Sequence, residues 1–383
     1  MGCKENKIKI IHLIIIGIFT TIYILPTDFL KSMGIPADQL LFALIIISYF
    51  IYYIFNKKIL KYKDIIILLI ITYFCFMHES ISHIHLISLI IVDKLIMFQK
   101  DISRFLYGSR LVLIALLFTF LYSFVYFGFE GRYLYTGLKE VNQSGYAILL
   151  LFLLVRAKYR IIGNLLLVLG FLTFSKSYLL GVIIFFSMNT LIRFRVVIIQ
   201  VFLSKLKDFR IIASLGVLIP IILSIYFTDL YESNSLNPYG QGSERFIIVN
   251  DYSNYFRFVT NTNLLKIYEA EPYRLWTGID TEEFYDLNKD ISSSYNQAYR
   301  EIKPHNYFFS YLRIYGGFSI FLFWYLYTIF RQVVTKKSLS IFLVTGSYVT
   351  FLGIGVNTYW LFITIFLILI YNNLPNTVTK QNT

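Results

Sequence analysis

Long runs of Ile, Leu, Val and Phe recur along the whole chain, and most of them contain no charged residue. Of the 383 residues, 57% are hydrophobic and only 15% are charged, whereas ordinary globular domains carry about a quarter charged residues. A helix of about 20 apolar residues crosses the bilayer core, and it satisfies its own backbone hydrogen bonds there. The composition therefore excludes a soluble enzyme, a secreted disulfide scaffold and a disordered regulator. It predicts an all-α, polytopic integral membrane protein.

The limits of the apolar runs predict about twelve transmembrane helices. These cover residues 8–26, 38–56, 65–78, 82–98, 110–129, 143–158, 161–175, 177–192, 211–229, 305–330, 338–353 and 356–372. Three regions follow from them: residues 1–228 with the first nine spans, a long loop at 229–304, and residues 305–383 with the last three spans and the C-terminus. No small-residue cleavage site follows the first span, so we expect it to be retained rather than removed as a signal peptide.

The basic residues indicate which side of the membrane each loop faces. If the N-terminus is cytoplasmic, 23 of the 35 Lys and Arg residues fall in cytoplasmic segments and four in short outer loops, while seven lie in the long loop and Arg313 lies in a span. Short loops rich in Lys and Arg stay in the cytoplasm, so both termini are predicted to be cytoplasmic and the long loop periplasmic. The net charge of +13 is then mainly a topology signal, and no nucleic-acid partner is expected.

The loop at 229–304 differs from the rest of the chain in polarity. It contains 12 of the 22 acidic residues but only seven basic ones. Residues 243–268 carry apolar side chains at three-to-four spacing, which predicts one or two short helices. Long loops are uncommon unless they are functional. We therefore expect a small outer cap packed on the spans.

Ionisable residues at membrane depth are costly and mark functional sites. Lys176 lies between two apolar runs. It would either mark a tight turn, with its side chain extending to water, or belong to a functional site. Arg313 lies about two turns into the tenth span and is expected to face a polar cavity. His305 and Asn306 open the same span after Pro304, either as a helix-start device or as part of a site.

Four local patterns occur in a characteristic order around these residues. They are Val141-Asn142-Gln143-Ser144-Gly145-Tyr146, Thr173-Phe174-Ser175-Lys176-Ser177, Gly242-Ser243-Glu244-Arg245-Phe246, and Pro304-His305-Asn306-Tyr307 followed by Tyr315-Gly316-Gly317. Together with the span count and the late outer loop, they resemble the O-antigen polymerase and O-antigen ligase superfamily of bacterial inner membranes, over roughly residues 140–330. Two departures stand out: Lys176 replaces the usual Arg, and Arg313-Ile314-Tyr315 stands where an acidic residue often precedes the glycine.

The resemblance implies periplasmic glycosyl transfer between lipid-linked oligosaccharides. A glycan on undecaprenyl pyrophosphate would pass to a sugar hydroxyl of another repeat unit, with release of the lipid pyrophosphate. Fixed cations stabilise the charge of such a leaving group, which is the role expected of Arg245, Lys176 and Arg313. His305 is the expected base for the attacking hydroxyl.

The remaining expectations concern the acceptor, cofactors and partners. Asn306 would orient the acceptor and Asn142 would line the same cavity. No cofactor or metal is expected, since no Asp-x-Asp ligand pair lies on the predicted outer face, and the run Asp280-Thr281-Glu282-Glu283 reads as solvated charge. The expected partners are the undecaprenyl-pyrophosphate-linked oligosaccharide, membrane lipid and a protein that regulates chain length.

Two other functions fit the same sequence. An O-antigen ligase would transfer the glycan to lipid A core, and it shares these motifs. A transporter or flippase for the lipid-linked oligosaccharide would also have about twelve spans. Such proteins often contain internal repeats with broken helices at matching positions, and no symmetric pair is evident here. Polymerase is the preferred hypothesis.

Overall fold

The computed structural model describes the third predicted span, most of the chain between residues 141 and 351, and short pieces elsewhere. The described residues are 61–77, 90, 93, 125, 129–130, 133–134, 141–156, 159–194, 209–233, 252–288, 304, 306–335, 338–351, 364–365, 367–368 and 371–372. Apart from connecting segments, they are helical. The exception is a pair of two-residue antiparallel strands, β1 (Phe129–Glu130) and β2 (Tyr133–Leu134). The predicted all-α fold class is confirmed for this part of the chain.

The helices of the described part are numbered in chain order. They are α1 (Tyr62–Met77), α2 (Val141–Arg156), α3 (Arg160–Phe171), α4 (Lys176–Arg193), α5 (Phe209–Glu232), α6 (Tyr252–Ala270), α7 (Arg274–Thr277), α8 (Thr281–Leu287), α9 (Tyr307–Tyr315), α10 (Ser319–Val333) and α11 (Leu339–Phe351). A 3₁₀ turn, Gly316–Phe318, separates α9 from α10.

Helices coincide with seven of the predicted spans. These are α1, α2, α3, α4, α5, α11, and the pair α9 and α10, which together cover the tenth span. The predicted spans at 8–26, 38–56 and 110–129 lie outside the described residues, except for isolated positions in the last. Those at 82–98 and 356–372 are represented only by single helical residues and pairs.

Few of these helices are long enough to cross a bilayer alone. In the described part of the chain, one stretch of 26 residues, Phe308–Val333, has the length and hydropathy of a membrane span. The apolar helix α3 has 12 residues and is therefore only about 18 Å long. The observed fold is thus helical. The described residues do not by themselves show the predicted arrangement of twelve spans.

A tight turn joins α3 to α4. Phe174 takes a left-handed backbone conformation, with φ of 51°, and the Ser175 hydroxyl accepts the backbone N–H of Tyr178 at 3.2 Å, which caps α4. Two glycines allow close packing here. A Cβ on Gly170 would lie 2.0 Å from the Tyr178 ring, and one on Gly145 of α2 would lie 2.7 Å from the Ser175 Cβ. Helices α2, α3 and α4 therefore meet at this turn.

The helix expected within 243–268 is present as α6, and it forms a cap with the short helices α7 and α8. The cap packs against α5 and α9 around a buried apolar cluster. Its members are Phe256, Leu264, Tyr268, Ile279, Phe284 and Phe309. Burying a side chain of this size contributes about 1.5–3 kcal/mol, so the cluster is enough to fix the cap on α9.

The opposite end of the helices is held by a buried polar cluster. The Lys63 ammonium donates to the Asp93 carboxylate at 2.5 Å and lies 4.9 Å from the centre of the Tyr325 ring. The Tyr325 hydroxyl donates to Asp64 at 2.8 Å. Asp64 also accepts the backbone N–H of Lys61 at 2.7 Å and so closes the first turn of α1. The start of α1 is thereby joined to the middle of α10.

Three further hydrogen bonds join the ends of helical segments that are distant in the sequence. The Tyr371 hydroxyl donates to the Leu153 carbonyl at 2.9 Å, and the Ser340 hydroxyl donates to Asn189 at 3.3 Å. The Asn372 amide donates to the Val333 carbonyl at 2.5 Å. Each bond connects segment ends that the distribution of basic residues assigns to one face of the membrane.

Candidate functional site

Arg313 is a buried cation on α9, directly beneath the cap. Its side chain is 5% exposed, and its Cζ lies 5.7 Å from the centre of the Phe284 ring. The terminal nitrogens make only long contacts, at 3.4 Å to the Ile279 carbonyl and 3.4 Å to the Thr281 hydroxyl. The Nε–H has no hydrogen-bond partner among the described residues. The hydrogen-bonding capacity of this guanidinium is therefore underused.

The charge of Arg313 is also poorly compensated. No carboxylate of the described residues lies within 4.0 Å of it. Asp280 attracts it from a greater distance, but that carboxylate caps α8 by accepting the Glu283 N–H at 2.8 Å. Burying a charge without a close partner is costly. An anionic ligand at this position would remove the cost.

Arg274 on α7 shows the opposite arrangement. Its Nε donates to Glu271 at 2.6 Å and its Nη1 donates to Glu283, while the Tyr273 hydroxyl donates to Glu271 at 2.7 Å. Burial alone would lower the pKa of Arg274, but hydrogen bonds to Glu283 and Glu271 raise it above its ordinary value. Hydrogen bonds from Tyr273 and Arg274 lower the pKa of Glu271. These four side chains form a hydrogen-bonded cluster that links α7 to α8 within the cap. We call this cluster the Glu271 brace.

The segment 278–281 clamps the end of α9. The Ile279 N–H donates to the Arg313 carbonyl at 2.7 Å, and the Tyr268 hydroxyl donates to the Leu312 carbonyl at 2.5 Å. These donors satisfy carbonyls at a helix end. Burial raises the pKa of Tyr268 well above its ordinary range, so its hydroxyl stays protonated and remains a donor.

Two glycines with positive φ make the clamp possible. Gly278 has φ of 72° and Gly316 has φ of 49°, a backbone conformation that side chains with a Cβ disfavour. A Cβ on Gly278 would lie 2.0 Å from the Ile314 carbonyl oxygen, and one on Gly316 would lie 2.3 Å from the Leu275 carbonyl oxygen. The backbone of the cap therefore packs directly against the backbone at the end of α9.

Asn306 opens α9 as its N-cap. Its side-chain oxygen accepts the Phe308 N–H at 2.7 Å and the Phe309 N–H at 3.4 Å. Pro304 precedes the cap instead of lying in the first turn, and its carbonyl accepts the Ser310 hydroxyl at 2.7 Å. The helix-start interpretation therefore holds for the Asn306 side-chain oxygen. His305 lies outside the described residues, as does Arg245.

The structure brings two of the four motif segments together. Asn142 lies in the first turn of α2 and Lys176 opens α4, and the contact between Gly145 and Ser175 joins their neighbourhoods. The side chains of Asn142 and Lys176 lie outside the described residues. Positively charged residues are disfavoured at helix N-termini, where anions bind. Lys176 therefore occupies a position that its charge does not favour, unless an anion binds beside it.

Some residues of this region carried no recognisable signal in the sequence. Tyr268 is one of 32 tyrosines, and nothing local distinguishes it. Gly278 follows Leu275-Trp276-Thr277 and was not singled out by the sequence either, although a glycine two residues before Asp280 is a turn signal. In the run Asp280 to Glu283, predicted as solvated charge, Glu283 is paired with Arg274 and Asp280 caps α8.

No cluster of three His, Cys, Asp or Glu residues in the described part of the chain has the geometry to hold a metal ion. No protein-family model matches the chain, and neither a curated protein nor a solved structure matches it in a search. The functional interpretation therefore rests on the sequence motifs and on the geometry around Arg313.

Proposed function

We propose that this protein is an O-antigen polymerase of the bacterial inner membrane. In this proposal about twelve helices span the membrane, both termini are cytoplasmic, and residues 229–304 form a periplasmic loop. The enzyme joins oligosaccharide repeat units carried on undecaprenyl pyrophosphate. It uses no metal, and a separate protein that regulates chain length is a suitable partner.

Exposed apolar side chains support the membrane location. Ile161, Leu165 and Val168 form an outward-facing stripe on α3, all more than half exposed, at spacings that share one helix face. Contiguous apolar surface of this kind marks contact with lipid or with another protein. The hydrogen bonds that join helix ends of one predicted face give independent support for the topology.

The single observation that carries the chemical proposal is Arg313, which is buried and has no carboxylate of the described residues within ion-pair distance. Glycosyl transfer from a pyrophosphate needs fixed positive charge beside the leaving oxygens, in a site where little water screens it. Arg313 supplies such a charge, and its Nε–H has no hydrogen-bond partner in the described part of the chain. Its place near the outer end of the tenth span matches the level of a lipid-linked pyrophosphate in the outer leaflet.

The reaction then follows from the proposed roles. A hydroxyl oxygen of the acceptor sugar attacks the anomeric carbon of the donor and forms the new glycosidic bond. The bond between that carbon and the pyrophosphate oxygen breaks, and its electron pair stays on the pyrophosphate. His305 takes the hydroxyl proton. Arg313, Lys176 and Arg245 stabilise the charge of the leaving group, while Asn306 and Asn142 line the acceptor side.

The glycan ladder of complemented deletion strains tests the proposal. We expect His305→Ala, Arg245→Ala and Arg313→Met to give single-repeat surface glycan, with the protein still inserted. Arg313→Met should not lower the free energy of unfolding, because it removes a buried charge that has no carboxylate of the described residues within ion-pair distance. Lys266→Met is the matched control, since Lys266 is a cation of the same loop in an exposed ion pair with Glu232, and it should give a normal ladder.

Two results would contradict the proposal. Normal ladders from both His305→Ala and Arg245→Ala would remove the assigned roles. Loss of all attached glycan in the deletion strain, single repeats included, would indicate a ligase.

A flippase is the second candidate, and the break between α9 and α10 favours it. Transporters often bind substrate at discontinuous helices, and the tenth span is discontinuous at Gly316. Reconstituted protein distinguishes the two functions. A polymerase lengthens glycan on its lipid carrier, whereas a flippase moves the lipid between leaflets without lengthening it.

A further inference from the structure

In and beside helix α7, the charged side chain is buried and the aromatic side chains are exposed. A segment that faces water shows the reverse. Arg274, its one charged residue, points inward and is ion-paired. Tyr273 and Trp276 point outward and are 58% and 65% exposed, and Leu275 between them is also exposed. In water the charged side chain would normally face outward and the aromatic ones inward. We call the exposed surface of residues 273–276 the aromatic edge of the cap.

The aromatic edge continues onto the outward face of the helices. The Trp276 ring lies 5.8 Å from the Phe318 ring, and Phe318 lies 5.7 Å from Tyr73 of α1 and 6.5 Å from Phe321 of α10. Phe321 and Trp324 are exposed on α10, which belongs to the one described stretch with the properties of a membrane span. A single apolar surface therefore runs from the span to the cap.

Helix α10 is too short to cross the bilayer core. Its 15 residues extend about 22 Å, whereas the core is about 30 Å thick. The polar cluster of Lys63 and Asp93 lies near its C-terminal half, which the topology places at the cytoplasmic side. The 3₁₀ turn and the aromatic edge at its other end therefore fall within the outer leaflet.

The backbone hydrogen bonds at the helix break agree with this depth. Irregular backbone occurs within the bilayer only where protein or a water-filled cavity satisfies it. Here Ile279 of the cap donates to the Arg313 carbonyl, and Tyr268 adds a second donor to the Leu312 carbonyl, which also accepts the Gly316 N–H. The cap thus provides the donors that water would provide at an exposed break.

We propose that residues 273–276 insert into the outer leaflet, at the boundary between lipid headgroups and acyl chains. The loop 229–304 is then a cap anchored in the membrane surface and not a domain that projects into the periplasm. Trp and Tyr are the residues that favour this boundary, because each has an apolar ring and a polar group. This inference rests on the proposed membrane location, and it would hold Arg313 at the level of the lipid pyrophosphate.

Tryptophan fluorescence in vesicles of brominated phosphatidylcholine tests the inference, because bromine quenches a nearby indole. The chain has three Trp residues, so the double variant Trp324→Phe/Trp360→Phe reports on Trp276 alone. The variant Trp276→Phe/Trp360→Phe reports on Trp324 as the matched control. We expect bromine near the headgroup to quench Trp276 most, and bromine near the chain terminus to quench Trp324 most. Helix content measured by circular dichroism checks that both variants are folded.

Other outcomes separate this inference from the proposed function. If lipid quenches Trp324 but Trp276 is quenched only by aqueous iodide, the anchoring is wrong and the membrane location stands. If Trp276 is shielded from both lipid and iodide, a protein partner covers the edge, which also overturns the inference. If lipid quenches neither residue, the membrane location itself fails. Chain extension is read separately, from the glycan ladder.

Discussion

At the residue scale, two buried arginines of the same region have opposite environments. Arg274 is held between Glu271 and Glu283, so its charge is used within the cap. Arg313 has no carboxylate of the described residues within ion-pair distance, and its Nε–H has no partner among them. A buried charge without a close carboxylate is costly, and an anionic ligand would remove that cost. The pairing, and not the residue type, separates the two environments.

The hydrogen bonds that Glu271 accepts in the Glu271 brace predict that the stability of the cap depends on pH. Hydrogen bonds to Tyr273 and Arg274 lower the pKa of Glu271 below its ordinary value of 4.5. The stabilisation is therefore fully present above that value and is lost as the pH falls through the lower pKa of the folded state. We expect hydrogen exchange of α7 and α8 to accelerate over this acidic range, and Glu271→Gln to flatten the dependence.

The control for this experiment is Glu269→Gln, because Glu269 is exposed and has no ion-pair partner in the described part of the chain. Its substitution should leave the pH profile unchanged. The effect of Glu271 should also shrink at high salt, since exposed charges are screened. A profile that is the same in parent and Glu271→Gln protein would show that the brace does not depend on this carboxylate.

At the element scale, the cap and the tenth span are joined by backbone contacts at a helix break. Helix α9 ends at Gly316 with an unusual backbone conformation, and the carbonyls exposed there accept hydrogen bonds from Tyr268 and Ile279. The Leu312 carbonyl accepts both the Gly316 N–H and the Tyr268 hydroxyl, while the Arg313 carbonyl accepts the Ile279 N–H. The cap therefore docks by hydrogen bonding at the point where α9 ends.

Alanine at Gly278 or Gly316 should loosen this clamp. Both glycines have positive φ, which costs a residue with a Cβ about 1–2 kcal/mol, and each new Cβ would also overlap a carbonyl oxygen. We expect each variant to lower the free energy of unfolding in detergent by more than about 2 kcal/mol. Protease should also cleave the loop sooner.

Gly346→Ala provides the comparison for these two variants. Gly346 lies inside α11, and a Cβ there would meet no atom within 4 Å. Alanine is favoured over glycine in a helix by about 0.5–1 kcal/mol, so this variant should be neutral or more stable. Equal losses at all three positions would mean that the clamp geometry is not the cause.

At the scale of the whole molecule, the helix ends that contact one another are the ends that the Lys and Arg residues of the loops assign to the same side. Lys63 with Asp93, Ser340 with Asn189 and Tyr371 with Leu153 each connect ends predicted to be cytoplasmic. The cap packs on α9 at the other end of the tenth span. The two sets of contacts therefore define two faces, which correspond to the two sides of the proposed membrane.

Cysteine labelling tests this two-sided arrangement. In a background with Cys3→Ser and Cys75→Ser, Glu282→Cys on α8 and Thr335→Cys after α10 place one thiol at each exposed position. We expect a membrane-impermeant maleimide to label Glu282→Cys in intact spheroplasts, and Thr335→Cys only after lysis. Labelling of both thiols before lysis would contradict the proposed topology.

The sequence alone determined the helical class, the approximate limits of the described helices and the presence of a helix within residues 243–268. These follow from hydrophobic periodicity, which is a local property of the chain. It also identified Arg313 as unusual, because a charge inside an apolar run is visible without any fold. Likewise, Asn306 before α9 had the residue type of a helix cap.

Only the tertiary structure decided which groups meet across the chain. Tyr268 contacts the Leu312 carbonyl, 44 residues away, and Tyr325 contacts Asp64 across 261 residues. Such pairings depend on how helices pack, and no local pattern encodes them. For the same reason, the sequence could not show that Arg274 is ion-paired and that Arg313 has no carboxylate of the described residues within ion-pair distance. The free energy of a buried charge is set by the groups that surround it in space, and those groups come from distant segments.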